Sequence, residues 1–186
     1  MADGAMPALS AWSNFYVVTG SSAAALTGLM FVVITLVVAN RSTATREGIA
    51  TFSTPTVAHF SAALLVSAIM SAPWRALSHV AAVVGIVGAV GLTYSAMIAY
   101  RARRQTAYDP DLEDLVWYVV MPLIAYLVIG GAALGLARYP AVAPFVLAAG
   151  SVLLIFLGIH NAWDVVTYLA IEKVEPPDDA APPSGA

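Results

Sequence analysis

Charged residues and prolines divide this chain into five long apolar segments. The first segment, Ala11 to Ala39, contains no Lys, Arg, Asp, Glu or His. About 20 consecutive apolar residues are enough for a helix to cross the hydrocarbon core of a bilayer. The pattern therefore predicts five transmembrane helices, at roughly residues 13–39, 55–72, 79–100, 112–137 and 144–170.

Capping residues and prolines indicate where the second and fourth segments begin and where the fourth one bends. The second begins at residues 53–55, where Ser and Thr precede a proline at the first helical position. The fourth follows the acidic run Asp109 to Asp114, which suits the positive end of the helix dipole. Pro122, inside the fourth segment, removes a backbone donor and frees the carbonyl of Tyr118. We therefore predict a bend, and a possible hinge, at Pro122.

The distribution of basic residues predicts how the helices are oriented, because Lys and Arg concentrate on the cytoplasmic side. With the N-terminus outside, six basic residues fall on the cytoplasmic side and two, Arg75 and Arg138, on the other. The six are Arg41, Arg46, Arg101, Arg103, Arg104 and Lys173. Aromatic residues, which favour membrane interfaces, lie near the predicted ends of the spans: Trp12, Phe15, Tyr16, Trp74, Trp117 and Tyr118. The sequence thus predicts an all-α polytopic bundle with its N-terminus outside and its C-terminus cytoplasmic.

Composition agrees with a membrane protein and narrows its chemistry. Hydrophobic residues make up 60% of the 186 residues and charged residues only 10%, far from the soluble average of about 25% charged. The chain has no Cys, which excludes thiolate catalysis and Cys-based metal sites. Its basic residues form no patch of the kind that binds nucleic acid. No hydrolase or phosphate-binding motif is present, so we predict a non-enzymatic protein.

The domain organisation predicted from this pattern is simple. Residues 1–174 form one five-span bundle. Residues 175–186, EPPDDAAPPSGA, are acidic, rich in proline and without large apolar side chains, so we predict a disordered tail. The predicted partners are the lipid bilayer and either further copies of the chain or the subunits of a larger membrane complex.

Small residues recur at spacings that leave one helix face nearly without side chains. Gly20, Ala24 and Gly28 lie four residues apart on the first segment, and such a face lets another helix backbone approach closely. Similar spacings occur on the third and fourth segments, at Gly85, Gly88, Gly131 and Gly135. The faces predict either tight packing within one monomer or self-association of monomers.

A few polar residues within the apolar segments are the candidate functional groups. His160 and Asp164 lie four residues apart on one face of the fifth segment, and Asn161 lies beside them. Asp164 is about 9 Å from the predicted cytoplasmic end at 1.5 Å per residue, a depth similar to that of His59 on the second segment. We therefore predict one polar centre in the cytoplasmic half, to which Tyr126 of the fourth segment also belongs.

This polar centre has three interpretations. Its members can form interhelical hydrogen bonds that fix the bundle. They can line a water-filled vestibule or bind a proton or cation, since a carboxylate beside histidines is typical of membrane ion relays. They can also hold haem or another metal through His59 and His160, with Asp164 as a partner of one histidine. No cofactor is predicted under the first two interpretations.

Two stretches of the sequence resemble a known group of proteins. They are the run from Trp12, Phe15 and Tyr16 through GSSAAALTGLMFV to Val32, and the C-terminal run His160 to Asp164. Both are similar to small bacterial multi-pass proteins, some of which carry the label of modulators of the FtsH protease. The resemblance implies a bacterial inner-membrane location and no catalytic residue.

Together these observations predict an integral membrane protein that is an oligomeric channel, a transport-type protein or an ion sensor. Its functional centre is the His and Asp cluster in the cytoplasmic half. The alternatives are a structural or regulatory subunit of a larger membrane complex, and a membrane protein that binds haem or metal through two histidines.

Overall fold

A computed structural model describes residues 9–40, 46–104 and 112–171, and within these residues all regular structure is helical. The predicted all-α class is therefore confirmed for the described part of the chain. Its five helices, in chain order, are α1 (Ser13–Asn40), α2 (Arg46–Ser71), α3 (Leu77–Arg104), α4 (Leu112–Leu115, Val116–Val120 and Met121–Gly135) and α5 (Ala143–Ile171). The predicted tail at residues 175–186 lies outside the described residues.

Four of these helices contain a stretch long and apolar enough to cross a membrane, which supports a membrane-embedded protein. The stretches are Ser13–Thr35, Leu77–Tyr100, Val116–Gly135 and Ala143–Asp164. The apolar part of α2, Pro55–Ser71, is shorter than the other four. Length and hydropathy thus establish four candidate spans among the described residues, against the five that the sequence pattern predicts.

The helices form a bundle in which neighbours along the chain are not always neighbours in space. α1 packs along α2, α2 along α5, α5 along α4 and α4 along α3, and a smaller contact joins α2 to α3. α5 lies between α2 and α4, and half of the residues in its apolar stretch are buried. We call the end where α2 begins at Arg46 and α3 ends at Arg104 the Arg-rich end. The opposite end, with Arg75 and Arg138, is the N-terminal end.

Glycines allow α3 and α4 to pack closely. A Cβ built on Gly88 would lie 2.8 Å from Gly130 Cα, so the two backbones are in direct contact there. A Cβ on Gly91 would overlap the ring of Tyr126, which rests against the α3 backbone at that point. Close approach of this kind is the usual reason for small residues at helix interfaces in membranes. The third segment therefore uses its small residues for packing within the monomer.

The other small residues named from the sequence differ in their surroundings. A Cβ on Gly20 would lie 3.0 Å from Ser67 Cβ of α2, whereas Gly28 has no atom within 4 Å of that position, and Ala24 is exposed. The remaining three also differ. A Cβ on Gly85 would lie 3.8 Å from Ala133 Cβ and one on Gly135 would lie 3.5 Å from Ala143 Cβ, whereas a Cβ on Gly131 would have no atom of the described residues within 4 Å. Self-association through Ala24 and Gly28 stays a prediction.

Pro122 follows an irregular turn of α4. Residues Val116–Val120 form a π-helical turn, in which the N–H of Met121 bonds to the carbonyl of Val116, five residues earlier. The physical reason is that proline has no N–H and that its ring crowds the carbonyl four residues earlier, which belongs to Tyr118. An inserted π turn is one of the recognised ways in which a helix relieves such a conflict. The irregular turn ends two residues before Pro122, and both the bend and the hinge at Pro122 stay predictions.

Candidate functional site

Polar side chains form two separate groups in the half of the bundle nearer the Arg-rich end. The first, which we call the inner pair, consists of His59 on α2 and Tyr126 on α4. The second, the outer cluster, consists of Trp117 and Tyr118 on α4 with His160 and Asp164 on α5. The two groups share α4 but differ in exposure.

The inner pair is buried. A hydrogen bond of 3.2 Å joins His59 Nδ1 and Tyr126 Oη, with the proton on either atom according to the imidazole tautomer. Each residue is only 2% exposed. Because Gly91 has no side chain, the Tyr126 ring can lie against α3 while its hydroxyl reaches α2. This bond therefore ties α2 to α4 inside the bundle.

The outer cluster is partly open to its surroundings. His160 Nε2 lies 3.3 Å from Asp164 Oδ2, and Tyr118 Oη donates to the same carboxylate oxygen at 3.3 Å. The Trp117 ring stacks on the His160 imidazole with ring centroids 3.9 Å apart and an interplanar angle of 24°. The side chains of His160 and Asp164 are 25% and 39% exposed. One carboxylate oxygen thus accepts from Tyr118 and lies beside the His160 imidazole, at a position that the protein only partly covers.

The residues of the predicted polar centre make two sets of direct contacts. His59 is bonded to Tyr126, and Asp164 is engaged by His160 and Tyr118; no hydrogen bond among these described residues joins His59 to Asp164. The depth estimate from the sequence placed the residues along the helix axes, but it did not give the direction in which each one faces. Helix order and rotation about each axis decide that direction.

Trp117 and Tyr118 were not predicted as site residues. Their position near a predicted membrane interface suggested that they anchor the helix there. That interpretation gave no reason to expect their contacts with α5. A signal was nevertheless present, because Pro122 disturbs the carbonyl of Tyr118 and π turns are frequent at functional sites. The π turn at Val116–Val120 is the element that presents both side chains to α5.

Asn161, predicted as part of the polar centre, belongs to neither group of hydrogen bonds. Its side chain is fully buried, and neither Oδ1 nor Nδ2 has a hydrogen-bond partner. Ser95 on α3 is also buried with an unpartnered Oγ. Buried polar groups are nearly always hydrogen-bonded, since an unsatisfied one costs free energy. Each of these two residues therefore needs an explanation.

The other half of the interior, toward the N-terminal end, is largely apolar. Its fully buried side chains include Val66, Val84, Ile129, Leu147 and Leu154. Hydroxyl groups in this half are satisfied within their own helices, as Ser67 donates to the Ala63 carbonyl and Ser151 to the Leu147 carbonyl. Tyr16, near the start of α1, is an exception because its buried hydroxyl has no partner.

The described residues contain no group of three or more His, Asp or Glu side chains arranged to hold a metal ion. The two histidines suggested as haem or metal ligands have different partners, Tyr126 for His59 and Asp164 for His160. The chemistry that the arrangement offers is hydrogen bonding and proton exchange among His, Asp and Tyr side chains.

Comparisons with known proteins do not extend this description: no family model matches the chain, and neither the curated proteins nor the solved structures include one significantly similar to it.

Proposed function

We propose that this chain is a non-enzymatic integral membrane protein of the bacterial inner membrane that responds to protons or cations at the outer cluster. The observation that carries the proposal is the Asp164 carboxylate, which lies 3.3 Å from both His160 Nε2 and Tyr118 Oη in a half-exposed position. An ionisable residue within a membrane helix is costly and usually functional. Histidine beside a carboxylate is a common means of coupling protonation to structure.

The apolar half of the interior favours sensing over a permanently open route through one monomer. A proton or cation entering from the Arg-rich end would meet polar groups only as far as the inner pair. Beyond it lie apolar side chains such as Ile129 and Leu154, which leave a charge without solvation. A transport-type function would therefore require either a conformational change or a route between copies of the chain.

The topology that we propose has five spans, with α2 as the fifth. The apolar part of α2 is short, but the whole helix, Arg46–Ser71, has 26 residues and measures about 39 Å at 1.5 Å per residue. α2 packs between α1 and α5, and residues such as Phe60 and Val66 are buried. A helix shielded by its neighbours needs less hydropathy than one that faces lipid. The excess of basic residues at the Arg-rich end supports a cytoplasmic C-terminus.

The absence of Cys makes this topology directly testable. Single-cysteine variants Ser10→Cys and Ser184→Cys are treated in intact cells with a maleimide that does not cross membranes. Five spans with the N-terminus outside predict labelling of Ser10→Cys before permeabilisation and of Ser184→Cys only after it. Labelling of both variants from the same side would contradict five spans.

The response to protons or cations is tested in liposomes that contain the purified protein. Proton and K⁺ flux is measured with entrapped dyes. pH-dependent movement is followed by the maleimide reactivity of a single cysteine placed at Trp163, which is exposed on α5, relative to that of a free thiol at the same pH. We expect Asp164→Asn to reduce the flux or to abolish the pH dependence of that reactivity. Thr93→Val, at an exposed position on α3, is the matched control. Flux and reactivity that are both unchanged in Asp164→Asn would refute the proposal.

A second candidate function is a structural or regulatory subunit of a larger membrane assembly. It is supported by α1, where Ala24 and Gly28 face outward beside exposed Leu29 and Phe31. A smooth, small-residue surface of this type suits close contact with another helix. Co-purification of a second membrane protein, together with flux equal to that of empty liposomes, would favour this candidate.

The haem alternative has no supporting contact, because His59 and His160 are engaged with different side chains. It has a simple test. Protein purified after haem supplementation would show a Soret band if both histidines served as axial ligands, and His59→Ala would remove it.

A further inference from the structure

Two buried polar side chains near the inner pair have unused hydrogen-bonding capacity. Asn161 on α5 is fully buried with both amide atoms unpartnered, and Ser95 on α3 is 2% exposed with its Oγ unpartnered. The asparagine amide has two donor hydrogens and an acceptor oxygen, and the serine hydroxyl is both donor and acceptor. The interior therefore holds donors and acceptors that no protein group satisfies.

Helix register brings Asn161 to the depth of the inner pair. Phe60 of α2 packs over Gly158 of α5, and these two helices run in opposite directions. Asn161 lies three residues beyond Gly158, which is about 4.5 Å nearer the Arg-rich end. On α2 the same depth falls between Thr56 and His59, and both of these residues are buried.

Ser95 approaches the inner pair from the other side. It lies one turn beyond Gly91, against which the Tyr126 ring packs, and so it is on the same face of α3. Ser67 and Ser151 each donate to the carbonyl four residues earlier in their own helices. Ser95 Oγ makes no such bond. Its hydroxyl is therefore available to a ligand in the interior.

Asn161 also lies next to the outer cluster along α5. It follows His160 in the chain and lies three residues before Asp164, so the half-exposed and the fully buried groups meet on one turn of α5. The polar side chains from Asp164 to Tyr126 thus extend from the surface into the core without passing into the apolar half.

We propose that Asn161 anchors internal water, which links the outer cluster to the inner pair and forms a hydrated recess open only toward the Arg-rich end. Internal waters bind where two to four polar groups converge. Asn161 and Ser95 bring buried, unpartnered donors and acceptors to within about one helical turn of the depth of His59 and Tyr126. The recess ends at the inner pair because the next layer, with Ala63 and Ile129, is apolar and fully buried. Its use as an access route for protons rests on the proposed function, but the hydration itself does not.

Water contact is measured on the unaltered chain in lipid bilayers by solid-state NMR, as the rate of polarisation transfer from water to assigned nitrogen sites. Asn14, exposed at the start of α1, is the hydrated reference, and the backbone amide of Ile129 is the dry reference. We expect polarisation from water to build up several-fold faster at the Asn161 side-chain amide than at the backbone amide of Ile129. Its rate should be close to that of Asn14. Build-up as slow as that of Ile129 would overturn the proposal, whatever the flux experiments show.

A variant then tests whether Asn161 is the anchor. Asn161→Leu replaces the amide with an apolar group of the same branching and number of side-chain heavy atoms, and we expect water transfer to the His59 imidazole to fall several-fold. Leu157→Met, a conservative change one turn away on α5, is the control and should leave that transfer unchanged. If Asn161→Leu folds with the same helical content and leaves His59 as hydrated as before, water does not depend on Asn161 and the proposal is wrong. If the variant does not fold, the measurement on the unaltered chain decides.

Discussion

The inner pair and the outer cluster contain the same kinds of side chain, yet their surroundings give them different roles. His59 and Tyr126 are almost fully buried and have each other as hydrogen-bond partners. His160 and Asp164 are partly exposed, and water can replace a lost partner. A buried hydrogen bond is costly to break because its remaining half stays unsatisfied, whereas an exposed ion pair contributes little to stability. We therefore expect the inner pair to contribute to the stability of the bundle and the outer cluster to contribute to the proposed response to protons or cations.

Among the variants that test this comparison, Gly91→Ala should change the free energy of unfolding most. The added methyl group would overlap the Tyr126 ring, so the ring must move and the bond to His59 is lost. Overpacking of this kind costs about 1–3 kcal/mol. The free energy of unfolding, measured by denaturant titration in mixed micelles, reports it. Gly131→Ala, with no neighbouring atom within 4 Å, is the control and should be neutral or slightly stabilising.

Tyr126→Phe and Tyr118→Phe compare the two sites through the same chemical change. Tyr126→Phe leaves His59 Nδ1 buried without a partner, and we expect a loss of about 1 kcal/mol in unfolding free energy, within the range of interhelical hydrogen bonds in membranes. Tyr118→Phe should cost less than half of that, because the exposed Asp164 carboxylate can bind water instead. Equal losses in the two variants would show that burial does not distinguish the sites.

The contact between His160 and Asp164 in the outer cluster should contribute less still to the free energy of unfolding. His160 and Asp164 are one turn apart on α5 and partly exposed, and such pairs are worth about 0.3–0.5 kcal/mol. We expect Asp164→Asn to lower the unfolding free energy by no more than about that amount, while changing the response in liposomes. A stability loss as large as that of Gly91→Ala would instead identify Asp164 as a structural residue.

The smallest effect on monomer stability is expected at Gly28. No atom lies within 4 Å of a Cβ built there, so Gly28→Leu should leave the unfolding free energy nearly unchanged. If α1 mediates self-association, the same variant should reduce cross-linking between copies in bilayers, because the bulky side chain separates the helices. Unchanged cross-linking would remove this face of α1 as the contact surface.

Much of the fold follows from the sequence. The predicted segments 13–39 and 144–170 correspond to α1 (Ser13–Asn40) and α5 (Ala143–Ile171) within one residue at each end. Pro122 also indicated a disturbance of the fourth helix, and a π-helical turn that the sequence did not predict lies directly before it. These features depend on local chemistry: apolar runs bounded by charge, and a proline that cannot donate a hydrogen bond.

The site was predicted less completely, for reasons that individual residues illustrate. Tyr126 was placed in the polar centre with His59, and the structure brings the two together. The same reasoning also placed Asp164 next to His59, whereas the Asp164 carboxylate is engaged by His160 and Tyr118. Residue depth along a helix can be counted from its ends, but the face that each residue presents to a particular neighbour cannot.

The sequence by itself determined that this chain is built of long apolar helices, because a bilayer requires backbone groups to be satisfied within each helix and apolarity is visible residue by residue. Only the tertiary structure decided that α5 lies between α2 and α4, that Gly91 makes room for the Tyr126 ring, and that Asn161 is buried without a partner. These features depend on which helices are neighbours and on their rotation about their axes. Both are set by the packing of all five helices together, which no local pattern records.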